Sequence, residues 1–232
     1  MSKITFISTV PGLESIEECL PKPAKHFIPK WFKDMPATGL NLSTVKVCPS
    51  FPDYFSLGYI VPMWTDTKLS HKPGTTDWFW ETAAPDFSWN MHGRGQLIDH
   101  TQVRFNGSES EFVFKAECPW RMITPKGWSV LQLPLFYHFN KEYSVLPGVI
   151  DTDIHHEINQ QVLYHGNGEP VQINRGDPFV LYVPFKRDNK LNLNIRYQTE
   201  KDIKLFRNKN LDIMSKFVPN GTYRKWQRQR DK

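Results

Sequence analysis

Eighteen prolines are spread through 232 residues, and between them the apolar residues come in short aromatic clusters, never in long runs. An interior proline removes a helical donor and collides with the preceding turn, so long helices are disfavoured over most of the chain. What remains is a series of short segments: "DWFWE" (77–81), "FSWNMH" (87–92), "EFVFKAE" (111–117) and "VQINRGDPFVLYVPF" (171–185). Aromatic and β-branched runs bounded by Gly, Pro, Asn and Asp predict an antiparallel all-β domain. With 14% aromatic residues, the core is expected to be built on rings more than on aliphatics.

The pattern divides the chain into a Pro-rich arm (1–47), a β domain (48–190) and a basic extension (191–232). The arm carries a strand candidate, "KITFIST", and a short helix beginning near Pro29, with Trp31 and Phe32 as anchors. Residues 48–66 predict two alternating runs joined at Gly58, and "QLIDH" (96–100) predicts a further strand. "VRFNGSESEFVFK" (103–115) predicts a hairpin turning at Asn106-Gly107. "WRMITPKGWSVLQLPLF" (120–136) predicts two strands around Pro125-Lys126-Gly127. The extension alternates in "LNLNIRY" (191–197) and then becomes helix-like, with Leu205, Leu211, Ile213, Met214 and Phe217 as its apolar set.

"GVIDTDIHHEINQQVLYH" (148–165) places five acidic or imidazole side chains in seven positions. As a strand it sends Ile150, Thr152, Ile154, His156 and Ile158 to one face and Asp151, Asp153, His155 and Glu157 to the other. A half-buried strand needs a wet face, but adjacent carboxylates repel unless a cation or proton lies among them. Asp153, His155 and Glu157 are therefore candidate ligands for a divalent metal, with His138 or His165 able to complete a two-imidazole, one-carboxylate set of the non-haem iron type. Alternatively, a carboxylate of this face orients a water for attack on a bound substrate. Lys126 and Arg175, both in turns, are candidate cations for the ligand; Tyr143 and Trp128 are candidate stacking surfaces.

The net charge of +5 is concentrated at the C-terminal end, where residues 196–232 hold eleven Lys/Arg against four Asp/Glu. "YRKWQRQRDK" (223–232) interleaves Tyr223 and Trp226 with five cations, a composition that could meet phosphates while stacking bases, although a solvated tail is the simpler expectation. Cys19, Cys48 and Cys118 have no metal-type spacing and are expected to be free thiols. The sequence shows neither a membrane span nor a secretory pattern, so a soluble, unexported chain is expected.

"PGVIDTDIHHEINQQVLYHGNGEPVQINRGDPFVLYVPF", together with the upstream "PKGW" (125–128), resembles the trimeric dUTPase and dCTP deaminase superfamily. The matching pieces are Gly148-Val149-Ile150-Asp151 and Arg175-Gly176-Asp177. The resemblance implies a β-clip or jelly-roll-like barrel that binds nucleotides. It also implies that Asp151 occupies the place of the carboxylate that activates the attacking water. "LPLF" (133–136) stands where that family carries a cationic, hydroxyl-bearing phosphate loop, so the implied scaffold has a different use. Through "PKPAKHFIPKWFKDMP", "CPWRMITPKGWSVLQLPLFYHFN" and the 148–165 segment, the chain is also similar to a protein family of T4-like phages of marine cyanobacteria, which implies a phage setting. Three functions follow as expectations: a small-molecule or nucleotide-binding β protein, a virion or assembly module forming homo-oligomers, and a cupin-like iron oxygenase.

Overall fold

The computed structural model describes residues 3–38, 43–72, 75, 77–101, 113–165, 168–188 and 191–214. Among the described residues the fold is mainly antiparallel β, in four sheets. The strands run in chain order as β1 (Thr5–Ser8), β2 (Lys22–Pro23), β3 (Tyr59–Pro62), β4 (Thr67–His71), β5 (Trp78–Thr82), β6 (Trp89–His92) and β7 (Val113–Ala116). They continue as β8 (Trp120–Ile123), β9 (Trp128–Leu133), β10 (Tyr143–Val145), β11 (Gly148–Ile150), β12 (Gln160–Tyr164), β13 (Val171–Ile173) and β14 (Pro178–Lys186). The largest sheet has the order β11-β9-β14-β3-β2; the others are β10-β12-β7-β6, β13-β4-β5 and β1-β8. No sheet closes into a barrel among the described strands.

The chain groups into two compact units, Met1–Phe27 with Leu57–Asn189, and Ile28–Ser56 with Lys190–Lys232. All fourteen strands belong to the first. The first 27 residues group with the sheets, where an arm to residue 47 was expected, because β1 pairs with β8 and β2 with β3 through the backbone.

The first unit's core is aromatic, as the composition predicts. Phe87 meets Trp64, Trp80 and Trp89 edge-on at centroid distances of 5.8, 6.2 and 5.6 Å, and Phe114 lies against Trp78 and Tyr164. Such tilted pairs set the positive ring edge against a negative face. Several of the polar groups inside are paired. Trp89 Nε1 donates to Thr67 Oγ1 at 2.8 Å, and the Tyr182 hydroxyl, fully buried, reaches Gln132 Oε1 at 3.0 Å and the Ile158 carbonyl at 2.9 Å while accepting from Gln160 Nε2. That hydroxyl ties β9, β12 and β14 together. Gly58 enters β3 at φ +67°, and a Cβ there would run into the Tyr182 carbonyl, so the approach to β14 requires glycine.

In the second unit, the short helix α1 (Lys30–Asp34) begins after Pro29, as expected. Ser50–Phe55 forms the helix α2, not the first of two strands. Phe51 and Phe55 are four residues apart and both rest on Phe32, at 6.0 and 4.7 Å, contacts that one helical turn provides and that a strand, setting them about 13 Å apart along one face, would not. Lys46 Nζ lies 4.8 Å from the Phe32 ring centroid and donates to the Phe32 carbonyl. Ile98–Thr101, overlapping the expected strand "QLIDH" (96–100), is a single helical turn, α3, belonging to the first unit.

The C-terminal helix, α4 (Glu200–Met214), starts on a reciprocal cap: Asp202 N donates to Thr199 Oγ1 at 3.3 Å and Thr199 N to Asp202 Oδ2 at 2.8 Å. Arg196 binds the same carboxylate, which together with the cap holds it well below the usual carboxylate range. Among the described residues no helix is long and apolar enough to cross a membrane. The hairpin expected at Asn106-Gly107 and the basic tail "YRKWQRQRDK" lie outside the described residues.

Candidate functional site

The acidic segment does not run as one strand. β11 ends at Ile150, and the Asp151 carbonyl then accepts from Ile154 N (2.9 Å) and His155 N (2.8 Å), closing a turn. Asp has low strand propensity and satisfies turns, which overrides the alternation. Ile154, expected in the core, is 75% exposed; alternation resumes only with Ile158 and β12. The expected common face of Asp151, Asp153, His155 and Glu157 is therefore not formed.

Two of its carboxylates converge instead on Arg187, at the end of β14. Arg187 Nη1 and Nη2 donate to Asp153 Oδ1 and Oδ2 at 2.8 and 2.6 Å, and Nη1 lies 3.3 Å from Asp151 Oδ1. Ser129 Oγ also donates to Asp151 (2.6 Å), and Gly127 N to Asp153 (2.8 Å). The guanidinium beside it, and then the Gly127 N–H, hold the Asp153 carboxyl down to about 2. Gly127, at φ +82°, is the third residue of the expected 125–127 turn, closed by Trp128 N donating to the Pro125 carbonyl. This cluster is a fork-shaped brace that ties the 125–128 turn and the 151–155 turn to β14.

The metal set fares no better. Asp153 is committed to Arg187, His155 is exposed, and Glu157 accepts from Arg121 Nη2 at 3.2 Å. Among the described residues no three His, Cys, Asp or Glu side chains come together to hold a metal ion, so the iron-type arrangement is not formed. Lys126 is exposed at its turn. Arg175 pairs with Glu18 at 3.0 Å, and its N–H donates to Asp66 Oδ1 at 2.8 Å, both bracing contacts.

Tyr143 and His138 meet elsewhere. They line a cavity of about 370 Å³ formed by residues 134–145 together with Pro178 and Phe179. Tyr143 packs on Phe179 at 5.5 Å, and burial pushes its phenol well above the ordinary tyrosine range. Burial likewise lowers His138, which favours the neutral imidazole. Phe136 and Phe139 also line this cavity and remain 67% and 57% exposed. Phe139 sits at φ 52°, the one non-glycine residue with positive φ among those described, a backbone state that is costly for a bulky side chain. Lys141 stands on the same wall, in no ion pair among the described residues. Asn140 Oδ1 caps the loop by accepting from Glu142 N and Tyr143 N. The expected third metal ligand His165 instead meets Ser144 Oγ at 2.7 Å.

Sequence reasoning missed Arg187, Phe136 and Phe139. The signal for the two phenylalanines was present: in "LPLFYHFN" three aromatics within four residues follow neither a strand nor a helix period, as a loop does when it presents rings outward. Arg187 carried no local signal, because its partners lie more than thirty residues away in sequence.

No protein-family model and no curated protein matches the chain. Among solved structures it is similar to a mutant dUTPase from phage phi11 of S. aureus, with 10% identity over 85% of this chain and 99% of that one, at a TM-score of 0.36.

Proposed function

We propose that this protein binds a small planar ligand carrying an anionic group, nucleotides being the class that fits, in the cavity walled by residues 134–145, Pro178 and Phe179. The observation that carries this reading is the pair of exposed rings, Phe136 and Phe139, at a cavity of about 370 Å³, within the usual range for small-molecule sites. Exposed aromatic faces stack on bases at about 1–3 kcal/mol each, and non-glycine residues held at positive φ cluster at binding sites. Lys141 supplies a cation for the anionic group. His138, in its neutral form, can donate or accept one hydrogen bond. The test is thermal shift against a nucleoside and nucleotide panel. The melting temperature rises for at least one nucleotide and the rise disappears in Phe136→Ala; no shift for any member at millimolar concentration sinks the reading.

A second reading, an assembly module, is favoured by residues 191–197. The segment belongs to no strand or helix among the described residues, and Leu191, Leu193, Ile195 and Tyr197 are 95, 86, 84 and 87% exposed. Period-two apolar side chains left in water suit addition as a strand to a second copy. Sedimentation of the full chain against a chain ending at Arg187 decides it, and an unchanged association state removes it.

A further inference from the structure

The two outer rings of the aromatic cavity restrict what it can hold. Phe136 and Phe139 line it and yet keep 67% and 57% of their surface in water. A site for a free drug-sized ligand buries most of that ligand, about 70–90% of its surface. Rings turned outward make instead an open platform, of the sort on which single-stranded nucleic acids lay successive bases. The platform is held in place before anything binds. Phe136, Tyr137 and Phe139 stand against one another at centroid distances of 5.2, 6.2 and 6.5 Å. Their loop is fixed by His138 N donating to the Leu135 carbonyl at 2.9 Å and Phe139 N to the Phe136 carbonyl at 3.2 Å, with the Asn140 cap beyond. A base that stacks there therefore costs little further ordering.

The charge of the wall narrows the ligand further. Lys141 is the one Lys or Arg among its described residues. Glu142 follows it in sequence and Asp177 precedes Pro178; after burial, these two carboxylates also raise the Tyr143 phenol, so both stand within electrostatic reach of the cavity. One cation set against two nearby carboxylates can balance the single charge of a phosphodiester. It cannot balance the several charges of a di- or triphosphate, which phosphate sites meet with clustered cations, metal ions or backbone N–H groups. His138, which burial shifts toward the neutral imidazole, offers one donor and one acceptor, the complement of a base edge.

We propose that this cavity holds an unpaired base of a single-stranded nucleic acid, stacked on Phe136 and Phe139, with Lys141 on one bridging phosphate. Such binding is a narrower form of the nucleotide reading of the same cavity and rests on it. The net charge of +5 on the whole chain attracts a polyanion at long range in the same sense.

Fluorescence anisotropy of the full-length protein with a labelled single strand of about ten nucleotides, as DNA and as RNA, is the test. Saturable binding is expected, weakened about tenfold in Phe136→Ala by the loss of one stacked base. In Lys141→Met the slope of log affinity against log salt falls by about 0.7, the value for one phosphate of a single strand. The Lys/Arg-rich residues 196–232 add binding that does not depend on the ring. A duplex of the same sequence reads that part alone, because its bases are already stacked and paired, and it binds the parent and Phe136→Ala equally. Single-strand affinity unchanged in Phe136→Ala, or a salt slope unchanged in Lys141→Met, overturns the proposal, and so does an equal loss for the duplex. A mononucleotide whose melting shift needs Phe136, beside an oligonucleotide whose binding does not, overturns the single-strand class and leaves the mononucleotide reading standing. No melting shift and no ring-dependent binding remove both. Self-association of the unliganded protein that Phe136→Ala abolishes assigns the rings to a second copy and likewise overturns it. Both side chains are exposed, so neither substitution threatens the fold.

Discussion

Arg187 Nη2 lies 2.6 Å from Asp153 Oδ2, and the side chain of Asp153 is only 4% exposed there. The folded carboxyl titrates at about 2, whereas the unfolded value is about 3.9. A lowered carboxyl contributes stability that is complete above the unfolded value and is lost as pH falls through the folded one. Denaturant midpoints are therefore expected to be insensitive to this pair above about pH 5 and to fall between about pH 4 and 2. In Asp153→Asn that portion of the acid transition disappears and the midpoint at pH 7 is lower. An acid limb identical in the two proteins refutes the assignment.

Tyr182→Phe deletes a buried hydroxyl that serves Gln132, Ile158 and Gln160 at once. The side-chain amides of Gln132 and Gln160 each keep one backbone partner, at Leu146 and Ile158, but lose their link to one another. A loss of about 1–3 kcal/mol is expected, read from urea unfolding with unchanged slope. A neutral substitution would mean that the network relaxes without cost.

Phe139 separates backbone strain from side-chain function. Phe139→Gly is expected to be more stable than Phe139→Ala by about 1 kcal/mol, because only glycine occupies the left-handed region freely. Both variants lose a stacking ring and with it nucleotide-dependent melting shifts. Equal stabilities for the two would show that the loop shifts out of the left-handed region once the ring is gone.

Gly58→Ala is expected to cost more than about 2 kcal/mol, since it adds both a positive-φ penalty and a collision with the Tyr182 carbonyl. Alanine at Gly127, also at positive φ but with open space around it, pays the conformational penalty alone, about 1 kcal/mol. Thermal denaturation of the two variants side by side measures the difference.

The sequence alone determined the kind of structure. Eighteen prolines and short aromatic clusters leave antiparallel strands and a ring-built core as the way to bury enough surface, and "PKGW" and Thr199-x-x-Asp202 specify their turn and cap through local chemistry. Phe51 and Phe55 show where local reading stops. Their spacing suits a helix as well as a strand end, and Phe32, nineteen or more residues away, selects the helix. The acidic segment shows it again. Alternation predicted one polar face, but Asp151 and Asp153 find Arg187, and the ion pair holds a turn that strand pairing would have broken. Tertiary structure also decided which polar groups went unmet. Trp89 N–H finds Thr67 whereas Trp64 N–H meets no acceptor among the described residues, a matter of packing geometry that no residue-level pattern encodes.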